Sequence, residues 1–322
     1  MTRTTTYLVS LLLAFAVSPV DAQVSLSRIG ILGAPEEPRF SEIVAGLTRG
    51  LRELGYTDKT IEIVEGRVPR RDNASERAVV EKMVQQRIKV LFAIGSRLIK
   101  QARQVSQELP IIFITPGDPV ASGLVGSLAR PGGNTTGMTF EYPELSGKRL
   151  ELLKEMAPRI RRVLAIYDPR DDSPKQSIAA AREVAPKLGL TLIERQSRSR
   201  EDDMQALKSL SDADALLAIP GGQPTADNKE IIQAANAKRL PTIFHARTGS
   251  TGEALASYGA NDAEIARQAA RLVDKSLKET KASEIPVERP TKLEFVINLK
   301  TAKQIGLTIP PEVLARANRI IR

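Results

Sequence analysis

The stretch from 115 to 140, TPGDPVASGLVGSLARPGGNTTGMTF, carries six glycines and three prolines. Glycine at that density lets a phosphate approach the backbone closely, so nucleotide chemistry is the first possibility to weigh. The spacing does not support it. A P-loop needs G-x-x-x-x-G-K followed by Ser or Thr, whereas the only Gly-Lys pair, Gly147-Lys148, is followed by Arg149. Gly30 and Gly33 of RIGILGAP stand three apart and do not form the G-x-G-x-x-G of a dinucleotide site. Ser96 and Ser127 lack the flanking glycines of a nucleophile elbow. With no cysteine there is no thiolate nucleophile, disulfide or Cys-based metal site, and His245 is the single histidine. The expectation is a chain with no catalytic residue, no metal and no cofactor.

What survives is a set of hydroxyl and aromatic residues at the carboxyl ends of predicted strands, the edge where open α/β sheets bind ligands. Gly95-Ser96 ends one strand and opens a helix, so Ser96 either caps that helix or offers its hydroxyl and the adjacent amides to a carboxylate. Acidic Asp168 accompanies Tyr167 at one of these strand ends, and Thr139 accompanies Phe140. Five of the ten aromatic residues beyond position 22 fall at strand ends or presumed lobe crossings: Phe140, Tyr142, Tyr167, Phe244 and Tyr258. They serve either as walls of a small-molecule cleft or as core filler.

These residues depend on the elements around them. Short apolar runs alternate with amphipathic stretches: RIGIL, IEIVEGRV, VLFAIG and IIFIT in the first half, then VLAIYD, LTLIER, ALLAIP and PTIFHA in the second. This is the rhythm of parallel sheets covered on both faces. It occurs twice, and 322 residues with 42% hydrophobic content suffice for two cores. Between the halves VASGLVGSLA reads as a short helix and RPGGNTTG as a turn. The tail adds a helix whose Ile265, Ala269, Leu272, Val273 and Leu277 form one apolar stripe, a strand LEFVIN, and a terminal helix PEVLARANRII after Pro310 and Pro311.

Residues 1–22 read as a signal peptide: Arg3, the short apolar run LVSLLLAFAVS, and VDA before Gln23, with cleavage expected after Ala22. Without a cysteine to lipidate, the expected location is the periplasm. The net charge of +9 is spread along helices without aromatic interleaving or any nucleic-acid-binding motif, so no nucleic-acid partner is expected.

The segments TPGDPVASGLVGSLARPGGNTTGMTF, ELSGKRLELLKEMAP, SYGAN and RPTKLEFVINLKTAKQIGLTIPPEVLARANRII resemble the ABC-transporter substrate-binding proteins of periplasmic-binding-protein type I architecture, in the branch that includes aromatic amino-acid binders. The resemblance implies an α/β protein of two doubly wound, Rossmann-like lobes. Lobe one would hold 27–139 with 261–285 and lobe two 144–257 with 291–322, joined by hinge crossings near 139–143, 257–261 and 286–292. It further implies a monomer that captures a small molecule, an amino acid or related carboxylate, by hinge closure and delivers it to a permease with its ATPase. A membrane-sensor partner and an exported α/β hydrolase built around His245 are the alternatives. By the family's pattern and the residue reading above, the ligand-facing positions are Pro35, Phe40, Gly95, Ser96, Asp118, Thr139, Phe140, Tyr167, Asp168, Pro220, Phe244 and Tyr258. Asp118 and Asp168 are then the candidates for a ligand's amino group, with capping of a turn or helix as the alternative role, favoured for Asp118 before Pro119. The chain departs from its relatives at ARTGSTGEALASYG, where a REFVEAGGLMSYG-like run is common.

Overall fold

The computed structural model describes residues 26–33, 38–68, 73–140, 142–221, 228–245 and 252–322. Strands β1 (Ser27–Gly33), β2 (Ile61–Arg67), β3 (Val90–Ile94), β4 (Ile111–Thr115) and β5 (Thr135–Thr139) form one sheet in the order β2-β1-β3-β4-β5, with every pairing parallel. Strands β6 (Arg162–Tyr167), β7 (Thr191–Gln196), β8 (Ala215–Ala218), β9 (Thr242–Phe244), β10 (Ala256–Gly259), β11 (Glu294–Asn298) and β12 (Arg319–Ile321) form a second, in the order β12-β11-β10-β9-β8-β6-β7. There only β10 and β11 run antiparallel.

Helices cover both faces of each sheet, which explains why the strands read as continuous apolar runs. Alternate residues of β3 enter different cores: Val90 and Phe92 join one with Ile29 and Ile112, while Leu91 and Ala93 join the other with Leu32 and Phe113. The second lobe repeats the pattern, Val163 and Ala165 on one side of β6 and Leu164 and Ile166 on the other.

The helix Asp262–Leu277 follows β10 of the second sheet, yet it packs against the helix Pro38–Glu53 in the first lobe. Its stripe of Ile265, Ala269, Leu272 and Val273 is buried there with Ile43, Leu47 and Leu51. Small residues set the close approach: a Cβ added at Gly46 would lie 2.1 Å from the Ala263 carbonyl oxygen, and one at Gly50 2.4 Å from that of Arg267. Among the described residues the chain therefore passes between the lobes three times: after β5, after β10, and between Ile285 in the first core and β11 in the second sheet. On the last passage Glu288 runs beside β5, exchanging hydrogen bonds with Gly137 and Thr139 at 2.9 and 3.0 Å.

Four segments differ from their sequence-based expectation. RPGGNTTG is a turn only to Asn134, because Thr135–Thr139 is β5 and pairs with β4, and Ser257–Gly259, expected within a crossing, belongs to β10 and pairs with β9 and β11. VASGLVGSLA forms turns and not a helix. Asp118 accepts hydrogen bonds from the amides of Val120 and Ala121 at 2.8 and 3.2 Å, and Gly123 takes φ +68°, so local capping wins over a segment already weakened by two glycines. At the C-terminus the helix is a single turn, Pro311–Leu314, and Arg319–Ile321 pairs with β11 as an edge strand. Asn318 fixes that register: its carbonyl side-chain oxygen accepts from the Phe295 amide and its own amide donates to the Phe295 carbonyl, both at 2.8 Å. The strand thus satisfies the edge groups of β11, which a continued helix would leave unpaired.

Candidate ligand site between the lobes

The carboxyl ends of the parallel strands in the two sheets meet across a polar junction. Gly95, at φ +89°, turns the chain out of β3 so that the helix Ser96–Val105 starts immediately. Ser96 is buried, and its Oγ donates to Asp171 Oδ1 at 2.7 Å and stands 3.3 Å from Ser173 Oγ. Asp171 belongs to the other lobe, where it is the N-cap of the helix Asp172–Val184 after β6. One helix N-terminus from each lobe thus flanks a single carboxylate, an arrangement favoured by both helix dipoles.

Further contacts extend from this point along the first turns of the second-lobe helix. Lys100 forms an ion pair with Asp172, which Lys175 also reaches at 2.9 Å. Burial alone would raise the Asp172 carboxyl; the hydrogen bonds and charges of Lys100 and Lys175 outweigh it and hold the group below the ordinary carboxylate range. Gln176 accepts from the Asp118 amide at 2.8 Å and donates to Ser122 Oγ at 3.2 Å. Gly117 packs closely against the other lobe: a Cβ there would lie 2.6 Å from Gln176 Oε1 and 2.7 Å from Ser173 Oγ, so both side chains would have to shift. The lobes are closed upon each other along this seam.

Near the chain crossings the charged groups are of a different kind. Arg39, at the start of the helix Pro38–Glu53, holds Asp262 in a bidentate pair with both bonds at 2.8 Å. Arg149 is fully buried, donating from Nε to the Tyr258 carbonyl at 2.8 Å and from Nη1 toward Ser146 Oγ at 3.4 Å. His245 follows β9, and burial, then the charges of Arg39 and Arg149, push its imidazole well below the usual histidine value, so it is neutral at pH 7. Sequence reading passed over Arg39 and Arg149, although a signal was present. Arg39 heads the stripe Ile43, Leu47, Leu51, and Arg149 precedes Leu152 and Leu153 on a buried face, so each is a cation on an apolar stripe.

The sequence-nominated residues divide between the junction and the cores. Gly95 and Ser96 lie at the junction. Thr139 lies beside it, its Oγ1 donating to the Gly117 carbonyl at 2.8 Å, and so does the Asp118 turn, although the Asp118 carboxylate is exposed and caps its own turn. Asp168 is buried, with its carboxylate taken by the Arg170 amide and guanidinium at 2.9–3.1 Å. Phe40 and Phe140 are packed in the first-lobe core, Tyr167 and Phe244 in the second-lobe cores. The Tyr167 hydroxyl accepts from Gln196 at 3.4 Å. Tyr258 is half-buried and meets Phe295 edge-on with ring centroids 6.3 Å apart. Pro220 is buried after β8, and Pro35 lies outside the described residues. Asp171, adjacent to Ser96, was not among the nominated acids. Among the described residues no group of three or more His, Cys, Asp or Glu could hold a metal ion, and no helix is long and apolar enough to cross a membrane.

Comparison with known proteins agrees with this architecture. A family model described as ABC transporter substrate binding protein matches residues 28–321. A tyrosine-binding protein of Clostridioides difficile (strain R20291) is 26% identical over 281 residues, covering 87% of this chain and 81% of the relative. The crystal structure of an ABC domain in complex with L-Trp from Streptococcus pneumoniae superposes with a TM-score of 0.84 at 24% identity, covering 92% of this chain and all of that one. The ligand-free, open structure of a substrate-binding protein with adhesive properties from Clostridium difficile gives a TM-score of 0.67 at 23% identity, covering 92% and 99%. The fold is that of a type I periplasmic binding protein.

Proposed function

Because the chain belongs to the ABC transporter substrate-binding protein family, we propose that it captures an amino acid with an aromatic or branched side chain between its lobes and delivers it to a membrane permease with its ATPase. The observation that carries this reading is the junction itself: Ser96 and Asp171, each at the first turn of a helix that follows a parallel strand, meet across the two lobes at 2.7 Å. A free amino acid presents one carboxylate and one ammonium group. The amides of the Ser96 helix suit the first and the Asp171 carboxylate the second. Asp118 and Asp168 are already committed to a turn and to Arg170, which favours Asp171 as the ammonium partner. The tyrosine and tryptophan named for the relatives support the side-chain class. No bond is made or broken; binding free energy shifts an equilibrium between open and closed lobes about the three crossings. Export to the periplasm and a monomeric state belong to the same reading.

Isothermal calorimetry of the protein lacking residues 1–22 against L-tyrosine, L-tryptophan, L-phenylalanine and L-leucine tests it. Saturable one-to-one binding of at least one, weakened in Ser96→Ala and in Asp171→Asn, is expected. Absence of heat with all four, together with an unchanged melting temperature in their presence, would remove the proposed ligand class.

A further inference from the structure

Outside the Ser96–Asp171 contact, side chains of the two lobes also meet directly. Lys100 meets Asp172, and Gln176 bridges the Asp118 amide and the Ser122 hydroxyl; each contact joins one lobe to the other. Gly117 adds a steric condition. The three heavy atoms nearest to a Cβ built there all belong to the second lobe, namely Gln176 Oε1, Ser173 Oγ and Ser173 Cα at 2.6, 2.7 and 3.2 Å. Gly117 is not among the glycines with positive φ, so its backbone accepts alanine, and a methyl group there acts on the seam by displacing Gln176 and Ser173 of the facing lobe.

We propose that Lys100, Gly117 and Ser122 of lobe one with Asp172 and Gln176 of lobe two form a clasp that sets, independently of solute, the fraction of protein already closed. The inference rests on the reading that these lobes open and close, and it adds a regulator of that motion outside the solute's contacts. Apparent affinity scales with the closed fraction when the closed form is the competent one, so loosening the clasp weakens capture without touching the ligand. The clasp is also suited to release. Lys100 and Asp172 retain 43% and 26% side-chain exposure, so water replaces the lost partners when the lobes part.

The absence of cysteine makes the test direct, because Lys82→Cys and Lys187→Cys, both at exposed positions, place one spin label on each lobe. Pulsed electron–electron resonance on the solute-free protein reads the inter-lobe distance distribution. A short-distance population in the otherwise wild-type protein is expected, lost in Gly117→Ala, with a roughly tenfold shift toward the open form, and reduced in Gln176→Ala. Gln176 is half-buried, so its truncation gives a second test in a protein that folds even where Gly117→Ala does not. Distributions identical in all three proteins would overturn the clasp. Because no amino acid enters this experiment, failure of the proposed ligand class leaves its outcome untouched.

Discussion

Arg39–Asp262 and Lys100–Asp172 are both cation–carboxylate pairs between residues distant in sequence, and they do opposite work. The first leaves 9% and 0% of its two side chains exposed and joins two helices within one lobe, beside the chain crossings. The second leaves 43% and 26% exposed and joins one lobe to the other. A buried pair cannot be opened cheaply, because either charge left alone in the interior lacks both water and partner. A half-exposed pair opens at little cost. The molecule places its irreversible electrostatics at the crossings and its reversible electrostatics on the seam that must part.

The sharpest way to break this contrast is Arg39→Met. It strands the Asp262 carboxylate in the interior and is expected to cost about 3–5 kcal/mol, read by urea denaturation. A loss below 1 kcal/mol would mean that the pair is not the structural anchor inferred. Next in size is the effect of His245. Its imidazole is neutral in the folded protein and ordinary when unfolded, so below about pH 6.5 the unfolded state binds the extra proton and stability falls with pH. The slope should approach about 1.4 kcal/mol per pH unit until the depressed folded value is reached, and it should be absent in His245→Gln. With one histidine in the chain, no other imidazole can supply that slope.

On the seam the expected effects are smaller. Lys100→Met should change global stability by less than about 1 kcal/mol while increasing the open population measured between labels. A stability loss comparable to that of Arg39→Met would erase the distinction. The smallest effect is the acid response of closure. Asp172 has its carboxyl lowered against burial by Lys100 and Lys175, so its contribution to the closed form is complete above the ordinary carboxylate value and is lost only as pH falls through the lowered one. The closed population should therefore be flat from pH 7 to about 5 and decline below about 4; a decline centred near pH 6 would point to a different group.

The double βαβ rhythm, the buried stripe of the helix Asp262–Leu277 and the Gly95-Ser96 helix start were all legible in the sequence, because each is a local pattern of period, cap or turn. The partner of Ser96 was not. Asp171 lies 75 positions away in the other lobe, and only the apposition of the lobes brings it there. The strand-end aromatics were ambiguous for a related reason. Helices cover both sheet faces, so Phe140, Tyr167 and Phe244 turn beneath them into the cores. The C-terminal RII run was obscured by an apparent helical stretch, since its strand character comes from the free edge of β11 and the Asn318 contacts.

Capture of an amino acid by closure of two lobes can be watched by titrating the doubly labelled protein with L-tyrosine and L-tryptophan. Saturating amounts of at least one should convert the inter-lobe distribution to the single short distance, and Asp171→Asn should shift the midpoint to higher concentration. A distribution that does not respond to either amino acid, in a protein whose melting curve shows it folded, would contradict it.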